Sequence, residues 1–307
     1  MIKILITGGA GNIGGSLARR LLENPEHDVT IVDNLLSGSK DKLPQSNGGN
    51  WRFIKCDVNN WQDISAVMLS TSFDYVFHYA AVVGVKRTLE DPVMVLNDIS
   101  GIKNILDLAK NTGVRRIFYS SSSEVYGEPV EIPQNESTTP LNSRLPYAIV
   151  KNVGESYLRS YHQEFGLDYT IFRFFNTYGP LQSTDFVISK FLSLAKTGAP
   201  ITIYGDGQQT RTFCFVDDNL EATIACLQQG YYINDTVNLG SDEEITILDL
   251  AHKVKKLTNS LSEIRHIEPL KEGDMTRRQP DTSKMKKILG RDLIDLDSGI
   301  LKTYNSL

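Results

Sequence analysis

Residues able to transfer protons are concentrated in two stretches near the middle of the sequence. An apolar run that ends at Tyr119 is followed by four serines and then by Glu124. Tyr147 and Lys151 are four residues apart, and a helix at this point would place both side chains on one face, one turn apart. We predict that Ser122, Glu124, Tyr147 and Lys151 meet in a single site, because hydroxyl groups at a strand end indicate a functional surface.

The chemistry that these groups permit is the oxidation of a secondary alcohol. A tyrosine with a pKa of about 10 is a poor base at neutral pH, but an ammonium group one helical turn away is expected to lower that pKa. Tyr147 could then take the alcohol proton, while Ser122 shares this proton or holds the substrate oxygen. The carbinol hydrogen would leave as hydride, so a hydride acceptor is required.

A glycine-rich turn near the N-terminus predicts where such an acceptor binds. The apolar run 2–6, which is typical of a buried strand, leads into Gly8, Gly11 and Gly14, and a helical pattern follows. Glycines at this turn let the backbone approach a diphosphate, and the helix N-terminus offers unpaired N–H groups. The next strand ends in Asp33, where an acid that binds the adenosine ribose is expected, although an Asp there can also be a helix cap. A carboxylate repels a 2′-phosphate, so NAD is predicted rather than NADP.

Strands and helices alternate over the first 180 residues, which predicts an α/β fold with a doubly wound parallel (Rossmann) sheet. Its ligand crevice is expected at the carboxyl ends of the strands, where Asp57, Val58, Ala80 and Ala81 join the residues above. The predicted strands are 2–6, 29–32, 51–56, 74–78, 115–119 and 169–174, and long helices are predicted over 92–111 and 144–165.

The pattern changes after Pro180. We predict a dinucleotide-binding domain over 1–180 that includes the catalytic residues, and a smaller α/β substrate lobe over 181–307, with the chain crossing between them. Short strands of this lobe are predicted at 201–204, 236–239 and 264–267. Arg211 follows a Gly-rich turn, and Arg277 and Arg278 follow a Gly-Asp turn; all three are candidates for a second phosphate site, because guanidinium groups match phosphate oxygens.

Bulk composition excludes several classes of function. The net charge of −5 argues against a nucleic-acid surface. The 3 cysteines and 5 histidines are scattered, which predicts neither a disulfide framework nor a metal site. The sequence begins on an apolar strand without a signal peptide and has no apolar run long enough to span a bilayer. We therefore expect a cytoplasmic protein that binds neither nucleic acid nor membrane.

Taken together, these motifs identify a family. The sequence resembles the extended short-chain dehydrogenase/reductases, and among them the NAD-dependent nucleotide-sugar epimerase/dehydratase family, from residue 1 to about residue 290. The matching segments are TGGAGNIG at 7–14, DN at 33–34, DV at 57–58, HYAA at 78–81, SSSEVYG at 121–127, YAIVK at 147–151, RFFNTYGP at 173–180, GDGQQTR at 205–211 and PD at 280–281.

The resemblance implies which molecules are bound. It implies permanently held NAD, a nucleotide-diphosphate sugar (a UDP-sugar first among them) under the C-terminal lobe, and a homodimer formed by a four-helix bundle. It implies Tyr147 as the base, Lys151 on the nicotinamide ribose and Ser122 on the sugar hydroxyl, with Ser123 and Glu124 also at the catalytic centre. The cofactor-binding residues are Gly8, Gly11, Asn12, Ile13, Gly14, Asp33, Asn34, Asp57, Val58, Ala80, Ala81, Tyr147 and Lys151, and the substrate-binding residues are Asn176, Arg211, Arg277 and Arg278.

The reaction is not fixed by the resemblance. Members that this chain resembles first oxidise the sugar at C4, and the next step differs among them. Ser123 and Glu124 are typical of guanosine-sugar dehydratases and glucuronate decarboxylases and point away from a plain epimerase. The segment RFFNTYGP, by contrast, resembles epimerases and decarboxylases more than dehydratases. Leu181 stands where many epimerases and the decarboxylases carry Arg, and the absence of this Arg weakens the case for a glucuronate-type carboxylate substrate.

We therefore favour a nucleotide-sugar 4-epimerase. The alternative is a 4,6-dehydratase or a UDP-glucuronate decarboxylase of the same family, and a non-catalytic NAD-binding protein is a remote one. Glu124 either decides between inverting and eliminating a hydroxyl group or only caps the strand end.

Overall fold

The computed structural model describes residues 1–45, 50–268 and 277–307, apart from the side chains of residues 85, 86 and 89. The strands are β1 (Ile2–Thr7), β2 (His27–Asp33), β3 (Asn50–Lys55), β4 (Tyr75–His78), β5 (Arg116–Ser122), β6 (Asp168–Phe174), β7 (Thr177–Tyr178), β8 (Ile201–Tyr204), β9 (Thr210–Thr212), β10 (Cys214–Phe215), β11 (Asp235–Leu239), β12 (Glu244–Thr246) and β13 (Ile264–Ile267).

The α-helices are α1 (Asn12–Leu21), α2 (Trp61–Ser70), α3 (Val85–Glu90), α4 (Pro92–Leu96), α5 (Asp98–Thr112), α6 (Pro146–Phe165), α7 (Val187–Thr197), α8 (Val216–Gln229), α9 (Ile247–Thr258), α10 (Ser283–Leu289) and α11 (Leu296–Asn305). Short 3₁₀ helices cover Lys40–Lys42 and Ser123–Tyr126. None of the helices in the described residues is long and apolar enough to cross a membrane.

Seven strands form one parallel sheet in the order β11-β6-β5-β4-β1-β2-β3. Both faces of this sheet are covered, and the central strands β1 and β4 are therefore buried on both sides over most of their length. On one face, Leu5 and Ile117 pack with α2, α5 and α6; on the other, Ile4 and Phe118 pack with α1 and the C-terminal helices. The predicted α/β class with a doubly wound parallel sheet is confirmed.

Strand β11 belongs to this large sheet, although its residues were predicted in the smaller lobe. It pairs in parallel with β6, and Val237 lies opposite Phe172, both fully buried. A strand of five residues does not reveal its partner, because β6 is distant in the sequence. The chain therefore crosses back into the sheet after α8, while the domain boundary proposed at residue 180 stays a prediction.

The remaining elements include three two-stranded sheets, one of which is the parallel pair of β7 and β10. Strands β8 and β13 pair in parallel, and β9 pairs antiparallel with β12. Helices α7, α9 and α11 pack together beside them. The strands predicted at 201–204 and 264–267 are present with those bounds.

Helices α5 and α6 contribute residues to the site. The helix predicted over 92–111 is divided at Asn97 into α4 and α5, so that Asp98 begins α5. Helix α6 has Pro146 in its first turn, where the missing N–H costs no hydrogen bond, and it ends at Gly166 with φ of 70°. Tyr147 and Lys151 therefore stand on the first turns of one uninterrupted helix.

Candidate active site

A cavity of about 680 Å³ lies at the carboxyl ends of the parallel strands. Nearly all of the predicted site residues line it: Gly8, Gly11, Asn12, Ile13, Gly14, Asp33, Asn34, Asp57, Val58, Ala80, Ala81, Ser122, Ser123, Glu124, Tyr147, Lys151, Asn176 and Arg278. The structure thus brings together the two proton-transfer stretches and the glycine-rich turn. Arg211 and Arg277 do not line this cavity.

The glycine-rich turn is shaped by close backbone approaches. Gly8 has φ of 68°, and a Cβ atom added there would lie 2.6 Å from the main-chain N of Ala80. A Cβ atom on Gly14 would lie 2.4 Å from the Gly8 carbonyl oxygen. Helix α1 therefore begins at the cavity, with its N-terminal N–H groups directed towards it. The buried Oδ1 of Asn12 has no hydrogen-bond partner among the described residues, which fits a site for a polar ligand such as a dinucleotide.

Asp33 holds the turn and the following loop together. Its Oδ2 accepts a hydrogen bond from Ala10 N at 3.0 Å, and its Oδ1 accepts one from Leu35 N at 2.8 Å. Lys42, which the sequence analysis missed, lines the same end of the cavity. Burial lowers the pKa of Lys42, and the charges of Asp33 and Asp185 oppose that shift. This end therefore carries two carboxylates and one ammonium group.

Helix α6 places Lys151 next to the end of strand β5. Its Nζ donates to the main-chain oxygen of Ser120 at 2.6 Å and to Ser120 Oγ at 3.3 Å. Burial lowers the pKa of Lys151 to about 8, and the charge of Asp98 opposes this shift.

Tyr147 and Ser122 meet across the junction of β5 and α6. Burial raises the pKa of Tyr147, the charge of Glu124 raises it further, and a hydrogen bond with Ser122 opposes both. The pKa of Tyr147 is therefore raised rather than lowered as we expected from Lys151, because burial is the largest cause. Tyr147 and Ser122 are hydrogen-bonded partners at the cavity, beside the charge of Glu124.

Asp98 is a cavity residue that the sequence analysis missed. Its Oδ2 accepts from Val82 N at 2.7 Å, and its Oδ1 accepts from Asn59 Nδ2 at 3.1 Å. Burial raises the pKa of Asp98, while these hydrogen bonds and the charge of Lys151 lower it. An Asp in the first turn of an apolar helix is ordinary, so only the division at Asn97 could have drawn attention to it.

Glu124 and Arg278 form an ion pair at the cavity wall. Glu124 Oε1 lies 2.7 Å from Arg278 Nη1, and the two side chains are 20% and 6% exposed. The other oxygen of Glu124, Oε2, is buried and has no hydrogen-bond partner among the described residues. A carboxylate and a guanidinium group thus neutralise each other beside Tyr147.

The other predicted substrate-binding residues lie in different surroundings. Asn176 lines the cavity and donates from Nδ2 to the main-chain oxygen of Thr212 at 2.9 Å. Arg211 is buried in β9 and donates to the main-chain oxygen of Thr210 at 2.7 Å. Arg277 forms two hydrogen bonds of 2.7 Å with Glu244 and is 48% exposed. The turn predicted at 273–274 lies outside the described residues, and the phosphate-binding roles of Arg211 and Arg277 stay predictions.

Within residues 1–45, 50–268 and 277–307, no three His, Cys, Asp or Glu side chains are grouped so that they could hold a metal ion. The three cysteines are buried free thiols.

The comparisons with known proteins agree with this fold and cavity. Residues 4–240 match the NAD dependent epimerase/dehydratase family. UDP-glucuronic acid decarboxylase 3 of Arabidopsis thaliana is 37% identical over 299 residues, which cover 94% of this chain and 84% of that protein. A putative UDP-glucose 4-epimerase of Methanocaldococcus jannaschii is 34% identical over 309 residues, which cover 98% and 97% of the two chains.

The structural similarity extends over the whole chain. UDP-glucose 4-epimerase of Thermotoga maritima, solved with UDP-glucose, superposes with a TM-score of 0.93 at 30% identity and covers 99% of this chain and 98% of its own. The chain belongs to the NAD-dependent epimerase/dehydratase family, as its sequence indicated. This family comprises NAD-dependent enzymes whose members similar to this chain include both 4-epimerases and decarboxylases of nucleotide sugars.

Proposed function

We propose that this protein is a 4-epimerase of a nucleotide-diphosphate sugar, with a UDP-sugar as the first candidate. In this proposal, NAD lies along the glycine-rich turn and supplies a reversible hydride acceptor for sugar C4. The protein's own residues bind, orient and move the proton. Support comes from the cavity, which joins the dinucleotide-type turn to Tyr147, Lys151 and Ser122.

Each catalytic side chain has a role that its surroundings favour. Tyr147, in its tyrosinate form, takes the proton of the sugar 4-hydroxyl to become a neutral phenol, and later returns it. Ser122 hydrogen-bonds Tyr147 and is placed to hold the same sugar oxygen. Lys151 donates to Ser120 and lies one helical turn from Tyr147, and its positive charge favours the tyrosinate form that accepts the sugar proton. A non-catalytic NAD-binding protein would have no need to keep these three groups together.

The ion pair between Glu124 and Arg278 is the observation that carries the choice of reaction. The two charges lie 2.7 Å apart and sum to zero, so a sugar carboxylate would gain no net attraction from them. A neutral sugar meets no such obstacle. Among reactions of a neutral sugar, 4,6-elimination calls for an acid and a base beside C5 and C6 in addition to the groups that oxidise C4, and Ser123 and Glu124 are the residues here that resemble those of guanosine-sugar dehydratases. Epimerisation needs only the Tyr147, Ser122 and Lys151 chemistry.

A decarboxylase is the second candidate, because one observation favours it. Arg278 already binds a carboxylate, that of Glu124, and a substrate carboxylate could take its place. Glu124, released from Arg278, could then carry a proton to the sugar carbon that loses CO₂. The 37% identical plant relative is named for this activity on UDP-glucuronic acid.

The proposal also includes a homodimer and a cytoplasmic location. Helices α4 and α6 pack together and expose Val93, Leu96, Ile149 and Phe165, and such apolar surface suits a second copy of the chain. The mass in solution, measured by light scattering, would be twice 34.3 kDa for a dimer.

A substrate panel tests the reaction. Purified protein is incubated separately with UDP-glucose, UDP-N-acetylglucosamine, UDP-glucuronic acid, dTDP-glucose and GDP-mannose, and products are identified by mass spectrometry and NMR. The proposal expects a new sugar of unchanged mass. Loss of CO₂ from UDP-glucuronic acid would support the second candidate, and loss of water from any substrate would contradict both.

A further inference from the structure

Arg278 reaches the cavity from a segment that contains no helix and no extended strand. This segment, 277–282, is held by an isolated parallel bridge. Gln134 N donates to the oxygen of Gln279 at 2.8 Å, and Asp281 N donates to the oxygen of Gln134 at 2.8 Å. Asn135 Nδ2 adds a hydrogen bond of 2.9 Å to Asp281 Oδ2. The position of Arg278 therefore depends on how the loop around Gln134 is itself fixed.

Asn238 of strand β11 provides that support. It is fully buried, and its Nδ2 donates to the main-chain oxygens of Gln134 at 2.9 Å and of Asp281 at 3.4 Å. One amide group thus binds both sides of the bridge. The main-chain N of Asn238 donates to Glu136 Oε1 at 2.9 Å, and Asn238 Oδ1 accepts from Tyr126 OH at 2.8 Å.

The polar chain continues from Asn238 to the catalytic helix. Arg173 Nη1 donates to Tyr126 OH at 2.8 Å, and Arg173 forks onto Glu155 with bonds of 2.8 and 2.7 Å. Glu155 lies on α6, one turn beyond Lys151, and also accepts from Ser121 Oγ at 2.6 Å. Because these groups are buried, the loss of any one of these hydrogen bonds would cost free energy. The hydrogen-bonded network therefore favours a single arrangement of its side chains.

We propose that Asn238 is a positioning residue that holds segment 277–282 at the distance from helix α6 at which Arg278 reaches Glu124. The side chain touches neither the cavity nor any reacting atom, and it acts through the carbonyl groups of Gln134 and Asp281. The consequence for turnover rests on the proposed function, because it assumes that Arg278 faces the bound nucleotide sugar. The geometry itself requires no substrate.

The test replaces the amide donor and follows Arg278 chemically. In Asn238→Asp, one carboxylate oxygen can still accept from Tyr126, but the other faces two carbonyl oxygens and repels them. Thr236→Val, on the same face of β11, is the matched control, since it removes a buried hydroxyl and leaves the bridge intact. Asn238→Ser is a second variant for the case in which the buried charge prevents folding, and circular dichroism selects the folded variants.

Labelling with phenylglyoxal, an arginine-specific reagent, is read out by mass spectrometry of the peptide that contains Arg277 and Arg278. The exposed Arg277 is the internal reference, and in the wild type Arg278 should react far more slowly. In a folded Asn238 variant, the Arg278 rate should rise by roughly fivefold or more relative to Arg277, since its segment opens locally more often. The Thr236→Val rate should equal that of the wild type. An unchanged Arg278 rate in a folded Asn238 variant would overturn the proposal.

Kinetics with the substrate found by the panel separate positioning from general damage. The KM of the Asn238 variants should rise by about tenfold with a smaller change in kcat, and the effect should largely disappear in an Arg278→Gln background, because the two residues act through one another. Equal losses in both backgrounds would contradict the proposal. If no substrate of the panel reacts, the proposed function fails, and the labelling result still decides the role of Asn238.

Discussion

Glu124 Oε1 lies 2.7 Å from Arg278 Nη1, so a carboxylate from the end of β5 and a guanidinium group from the C-terminal part of the chain neutralise each other beside Tyr147. The pair separates the two candidate reactions, because an epimerase uses it only to shape a neutral pocket. A decarboxylase would instead need Arg278 to bind the substrate carboxylate and Glu124 to transfer a proton.

The substitution Glu124→Gln exploits this difference. If the protein is a 4-epimerase, kcat should stay within about tenfold of the wild type, whereas decarboxylation that uses Glu124 to carry a proton should fall by at least about 100-fold. Steady-state rates measured with the active substrate distinguish the two results. Glu128→Gln, an exposed carboxylate outside the cavity, is the control and should leave the rates unchanged.

Tyr147→Phe tests the shared oxidation step. Removal of the phenolic oxygen deletes the proton acceptor, so kcat should fall by about 1000-fold while the protein stays folded. Tyr157→Phe removes a phenol from the same helix outside the cavity and should keep near wild-type activity. Turnover by Tyr147→Phe at more than a tenth of the wild-type rate would show that another group takes the proton.

Asp98→Asn should move the pH dependence of activity to lower pH. The Asp98 carboxylate raises the pKa of Lys151, which is about 8, and also contributes to the raised pKa of Tyr147. Asn keeps the shape and one acceptor for Val82 N but removes the negative charge, so that both pKa values should fall. A pH–kcat profile between pH 5 and 10 measures the shift, for which we expect up to about one pH unit.

Asp107→Asn is the control for that profile, because Asp107 lies on the same helix and accepts from Tyr161 outside the cavity. Its profile should coincide with that of the wild type. An Asp98→Asn profile displaced to higher pH would contradict the assigned electrostatic role.

Arg173→Met should destabilise the protein by about 3 kcal/mol, because it leaves the fully buried Glu155 without its main counter-charge. The free energy of unfolding in urea measures this loss. Arg265→Met breaks an exposed pair with Glu263 and should change that free energy by less than about 0.5 kcal/mol.

The Arg173→Met effect also has a defined pH dependence. Burial alone would raise the pKa of Glu155, but the hydrogen bonds and charge of Arg173 hold it below its usual value. A lowered carboxyl pKa stabilises the folded state above the unfolded pKa, and this stabilisation is lost as the pH falls through the folded pKa. The difference between wild type and Arg173→Met should therefore be largest near neutral pH and shrink under acid conditions.

The sequence revealed those parts of the site that depend on local pattern. Tyr147 and Lys151 share a helix face, and the glycine-rich turn and Asp33 follow strands whose carboxyl ends meet at one edge of a parallel sheet. Local periodicity and the rule for strand ends were therefore sufficient to bring these residues together.

Parts that depend on contacts between distant segments were not accessible in this way. Asp98 acquires its role from Val82 and Asn59, which follow other strands. Neighbouring residues of an extended segment point to opposite sides, so whether Arg277 or Arg278 faces the cavity depends on the bridge to Gln134. The position of β11 in the sheet likewise depends on its pairing with β6, which the sequence of β11 alone does not indicate.

The return of the chain into the sheet at β11 also has a consequence during synthesis. Until residue 239 has left the ribosome, strand β6 presents an open edge with unpaired N–H and C=O groups, and such edges recruit other chains. A nascent or truncated product that ends near residue 180 should therefore aggregate, even though it contains the whole cofactor turn and the catalytic helix. The parallel sheet can thus be completed only late in translation, and we expect that the N-terminal half does not fold stably as a separate protein.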